Sequence, residues 1–111
     1  MIPRPACWVS FLALAIVSTQ ASAQARIEYN RDVRPILAEN CFACHGPDSA
    51  SRKAKLRLDK RDEAIKKAIV PGKAPESRLV KRIFTTEAKD IMPPAKTHKK
   101  LTAAQKETIK K

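Results

Sequence analysis

The chain has 111 residues, carries 23 Lys and Arg against 11 Asp and Glu for a formal charge of +12, and is only 5% aromatic. That length allows one small domain at most. The charge reads most simply as a solvated lysine-rich surface, with attraction to an acidic partner or an anionic surface as the second reading, whereas so few aromatic rings to stack on bases argue against nucleic acid.

Arg4, the ten-residue apolar run Trp8 to Val17 and the small-x-small triplet Ala21-Ser22-Ala23 predict a signal peptide over residues 1–23. The run is shorter than the roughly 20 residues of a membrane span, and Cys7 precedes it rather than lying at the cleavage point, as a lipoprotein cysteine would. The expectation is therefore an exported domain, residues 24–111, periplasmic or otherwise extracytoplasmic, with no membrane span. Export removes one basic residue, Arg4, which lowers the charge to +11. It leaves Cys41 and Cys44 as the only cysteines and Tyr29, Phe42 and Phe84 as the only aromatics. So small a domain rarely builds a sufficient core from side chains alone, and a bound cofactor would supply the missing apolar surface.

The predicted elements are all helical. Asp32 reads as the N-cap of a first helix with Pro35 at its third position, where a missing N–H costs no helical bond. Val33, Leu37, Cys41 and Cys44 recur at helical spacing, so the helix is expected to run through both cysteines until Gly46-Pro47 ends it. A basic loop, 49–55, and a short extended piece, Leu56-Arg57-Leu58, follow. Asp59 is placed as the cap of a second helix reaching Ala68, with Asp62 and Glu63 suiting its first turn and Ala64, Ile65, Ala68 and Ile69 as its buried face. Pro75 opens a third helix in which Leu79, Val80 and Ile83 point inward and Lys81 and Arg82 outward. After a polar loop, Thr85 to Asp90, Thr102 and Gln105 form a capping-box pattern that announces a last helix.

Cys41-Phe42-Ala43-Cys44-His45 is a C-x-x-C-H pentapeptide, the pattern of c-type haem attachment. Cys41 and Cys44 are three residues apart, so on a helix both thiols face one haem edge, and His45 can ligate the iron as proximal ligand. A structural zinc site would need a second ligand pair, and the other histidine, His98, stands alone. A thioredoxin-like pair would need a βαβ setting that the chain does not show. A sixth iron ligand has two candidates. Met92 is followed by two prolines that stiffen its backbone. His98 lies in the basic run Lys96-Thr97-His98-Lys99-Lys100. The bland alternative for Met92 is a core filler.

Several separated stretches resemble, in order, the planctomycete-type cytochrome c domain. They are Tyr29 to Leu37, Asn40 to Asp48, Leu56-Arg57-Leu58-Asp59, Ile69 to Lys73, Met92-Pro93-Pro94 and Leu101-Thr102. The resemblance implies a small all-α, cytochrome c-like fold wrapped around one covalent haem c, with thioethers at Cys41 and Cys44, His45 proximal and Met92 distal. It implies electron transfer rather than enzyme activity, and no acid/base pair or nucleophile is arranged for substrate chemistry. In the family the last helix continues through a Trp-containing segment and packs on the first; here it stops at Lys111, a shortened version. A redox partner, acidic in view of the charge, is expected, and a haem-based redox or small-ligand sensor is the alternative function.

Overall fold

The computed structural model describes residues 1–3 and 25–111, so nearly all of the leader expected over residues 1–23 lies outside the described residues. Four α-helices organise them: α1 (Arg34–Asn40), α2 (Arg61–Lys67), α3 (Arg78–Phe84) and α4 (Ala103–Lys110). No strand occurs among the described residues, and the all-α expectation holds.

The first helix differs from the expected one at both ends. A single π turn, Tyr29–Val33, precedes α1, and the N–H of Arg34 closes it on the Tyr29 carbonyl. Pro35 explains the wide turn: its ring would crowd the carbonyl four residues back, and it has no N–H to donate. Asp32 is therefore not the N-cap. Its carboxylate reaches back to accept the Glu28 N–H at 2.8 Å and is flanked by the Arg31 guanidinium. At the other end α1 stops at Asn40, where Cys41 and Phe42 both donate to the Leu37 carbonyl and the Asn40 side chain caps Ile36. The pentapeptide thus occupies its own turn, with the His45 N–H donating to the Cys41 carbonyl at 2.8 Å.

Lys60, not Asp59, stands at the N-cap of α2, because the Asp59 carboxylate is engaged by Arg57 two residues earlier. Asp62 and Glu63 do occupy the first turn, and Lys66 and Lys67 the last, as the helix dipole favours. Ala64 and Ala68 are buried, whereas Ile65 is exposed, since it lies between them on the outer side of so short a helix. Pro75 belongs to a separate 3-10 turn, Ala74–Glu76, and α3 begins after Ser77. The Ser77 hydroxyl is buried but satisfied: it accepts the Val70 N–H at 2.8 Å and donates to the Val70 carbonyl. Together with the Leu79 N–H on the Ala68 carbonyl at 3.0 Å, this fixes α3 against the end of α2.

Leu58, Ala64, Ala68, Leu79, Ile83 and Leu101 form the core. Burial of each leucine or isoleucine contributes about 1.5–3 kcal/mol, but the alanines add far less, so the core is thin. The capping box of α4 is complete, with Thr102 Oγ1 accepting from Gln105 N–H and Gln105 Oε1 from Thr102 N–H. The short α4 touches α3 and the π turn before α1, and Ile109 packs on the core. Lys106 and Lys110 place their ammonium groups 6.0 and 5.6 Å from the centre of the half-exposed Phe84 ring, a cation–π contact that ties α4 to α3.

Candidate functional site

A cleft of about 470 Å³ opens between the pentapeptide turn, α2, α3 and the segment before α4. Its apolar walls come from Leu37, Leu56, Leu58, Leu79, Ile83 and Ile109. Cys41, Cys44, His45 and Met92, which lie on two widely separated parts of the sequence, all line it. His98 does not. It sits exposed in a left-handed conformation after the 3-10 turn Ala95–Thr97, while Thr97 and Lys99 on either side reach the wall.

The loop that follows the pentapeptide holds its two last residues in place. Lys53 N–H donates to the Cys44 carbonyl at 2.7 Å, and Leu58 N–H to the His45 carbonyl at 2.8 Å. The Arg52 guanidinium bonds the carbonyls of Gly46 and Pro47. In return His45 Nδ1 lies 3.2 Å from the Lys53 carbonyl, which can only accept, so Nδ1 carries the proton and Nε2 is left as the lone-pair nitrogen. Gly46 is buried where a Cβ would overlap the Phe42 carbonyl oxygen and lie 2.9 Å from its carbon, so the chain can turn back here only without a side chain.

Both thiols are free and half-buried. Burial pushes the Cys41 thiol up to about 11, against the opposing pull of the Lys99 ammonium. Lys99 is held nearby by its bond to the Glu39 carbonyl at 2.6 Å. On the opposite side the Met92 N–H donates to the Arg82 carbonyl at 3.0 Å. Arg82, expected to face outward, is instead half-buried on the cleft wall and donates to the Asp90 carbonyl at 3.2 Å. Lys66, Lys67 and Arg78 complete a basic lining that includes no carboxylate. Arg82 and Lys99 were not singled out from the sequence. A basic residue on a helix or in a basic run reads as solvated, and only the fold shows that these two turn inward.

Two free thiols, an imidazole with an available Nε2 and a thioether line one apolar cleft, a set of side chains that could hold a covalent haem. The volume lies within the roughly 300–1,000 Å³ of cofactor pockets. An all-helical fold with a C-x-x-C-H turn on an apolar cleft suits a c-type cytochrome domain. A family model described as planctomycete cytochrome C matches residues 41–96, half of the chain, from the first cysteine of the pentapeptide to just beyond Met92. The chain belongs to that planctomycete cytochrome c family. No curated protein and no solved structure matches it significantly.

Proposed function

We propose that this chain is an exported single-haem electron carrier in which Cys41 and Cys44 attach the haem, His45 is the proximal ligand and Met92 the distal one. The observation that supports it is the convergence of these four side chains on one apolar cleft. Covalently bound haem supplies a one-electron iron couple, and the protein supplies ligation, burial and electrostatics. His45 is oriented through Nδ1 by the Lys53 carbonyl, which leaves Nε2 for the metal and makes the imidazole more electron-rich. Met92 offers a soft thioether, which favours the reduced metal and raises the potential relative to a second histidine. The leucine and isoleucine walls keep water from the group and lower the local dielectric.

A sensor would need Met92 to leave readily. The backbone bond to Arg82 and the two prolines after Met92 favour a carrier instead. The basic lining fits an acidic redox partner approaching the cleft mouth. No helix among the described residues is long and apolar enough to cross a membrane, and export rests on the leader read in residues 1–23.

Met92→Ala tests the ligation. Covalent haem should remain on a denaturing gel while the ferric protein gains a high-spin spectrum and its reduction potential falls. If His98→Ala produced those changes and Met92→Ala did not, the distal ligand would be His98.

A further inference from the structure

Residues 86–100 run between α3 and Leu101 and carry Met92. Among the described residues, three hydrogen bonds join this segment to the protein beyond its neighbour Thr85. Lys99 makes one, to the Glu39 carbonyl of α1. Arg82 makes the other two: its carbonyl accepts the Met92 N–H at 3.0 Å, and its guanidinium donates to the Asp90 carbonyl at 3.2 Å. The remaining bonds of the segment are internal, such as Ile91 N–H to the Glu87 carbonyl and Thr97 to the Pro94 carbonyl.

We propose that Arg82 is the positioning residue that latches the Met92 segment onto the cleft, and so decides whether the sixth coordination position stays closed. The inference rests on the assignment of Met92 as distal ligand. Its physical basis is leverage. The backbone carbonyl two residues before the thioether and the amide of the thioether residue itself are both fastened to a single residue of a core helix. That helix is anchored by Leu79 and Ile83. The guanidinium bond is charge-assisted and half-buried, so it outweighs a neutral bond of the same 3.2 Å length. Fraying of the segment at Asp90 would free the Met92 amide next, because no other bond of the segment reaches α3. Loosening the latch turns an electron carrier into a binder of exogenous ligands.

The test uses the haem-loaded protein. Arg82→Met keeps an apolar stem on the cleft wall and removes the guanidinium bond. Lys81→Met removes the same charge from the exposed face of the same helix, outside the cleft lining. Loss of one charge-assisted bond should raise the population with Met92 displaced about tenfold. Arg82→Met should accordingly bind carbon monoxide in the ferrous state about tenfold faster and lose part of its ferric sulfur–iron charge-transfer band. Arg82→Lys should restore much of both, and Lys81→Met should change neither. If Arg82→Met failed to hold haem, the carbon monoxide rate of Arg82→Lys, expected between wild type and Met92→Ala, decides the matter. Equal effects in Lys81→Met and Arg82→Met, or wild-type kinetics in Arg82→Met beside altered kinetics in Met92→Ala, would overturn the latch. A wild-type spectrum in Met92→Ala would overturn the ligation itself and the latch with it.

Discussion

Gly46→Ala should be far more damaging than its surroundings suggest. Its backbone is not in the left-handed region, so the alanine pays no conformational penalty there. The cost is steric: the new methyl meets the Phe42 carbonyl oxygen in hard overlap and lies 2.9 and 3.0 Å from two more backbone atoms of Phe42. Backbone cannot rotate away as a side-chain tip can, and Phe42 sits between the two cysteines. Overpacking of this kind costs about 2–3 kcal/mol, which for a domain this small lowers the melting temperature by roughly 10–20 °C. Gly72→Ala is the internal control. It has φ of +73° and open space around the would-be Cβ, so its cost is conformational only, about 1 kcal/mol. Thermal melting of both haem-loaded variants, followed by circular dichroism, measures the difference. Because the displaced peptide lies within the attachment turn, the yield of covalent haem on a gel should also fall in Gly46→Ala and hold in Gly72→Ala. Equal melting temperatures for the two variants would refute the steric argument.

Other expectations follow from the charges and thiols. The Arg31 guanidinium and the Glu28 N–H hold the Asp32 carboxyl at about 2, below its ordinary 3.8. The folded state then binds fewer protons, so this contribution to stability is complete above about pH 4 and disappears as pH falls through about 2. Asp32→Asn should flatten that part of the acid melting curve, and an unchanged curve would show that the pair is solvent-screened. A Cys41 thiol at about 11 has roughly a hundredfold less thiolate at pH 8 than one at its ordinary 9.0. Iodoacetamide should therefore label Cys41 of the haem-free protein much more slowly in buffer than in urea, and equal rates would mean that the thiol is not buried. Electron transfer to an acidic partner should slow between 20 and about 200 mM salt as the Debye length shrinks below roughly 10 Å; a rate indifferent to salt would remove the basic cleft rim from partner recognition.

What could be read from the sequence was local or covalent in origin. The capping box at Thr102 and Gln105 needs only four consecutive residues, and it is present as expected. The acidic first turn of α2 depends on the helix's own dipole. The placement of Met92 with the pentapeptide came from residue type and family likeness, and the cleft brings them together. Where the reading went astray, a near neighbour had outcompeted the expected partner. Asp59 was taken by Arg57 and so lost the cap of α2; Asp32 turned back to Glu28 instead of capping forward. The continuous apolar stripe from Val33 to Cys44 suggested one helix, but the bonds from Cys41 and Phe42 to Leu37 close α1 before the motif. Ile65 and Arg82 show the limit of periodicity on seven-residue helices, where one turn of phase decides which side is covered.

The loop behind His45 has a consequence for the order in which the site assembles. Every bond that shapes the proximal side, from Cys41 to the Lys53 and Leu58 amides, spans fewer than twenty residues. The distal side waits on α3 and on a partner from beyond residue 90. Short loops close at low entropic cost, so the pentapeptide side of the cleft can form before the Met92 side closes over it. Under the proposed ligation, haem would be joined covalently to the early-forming side and ligated from the late one.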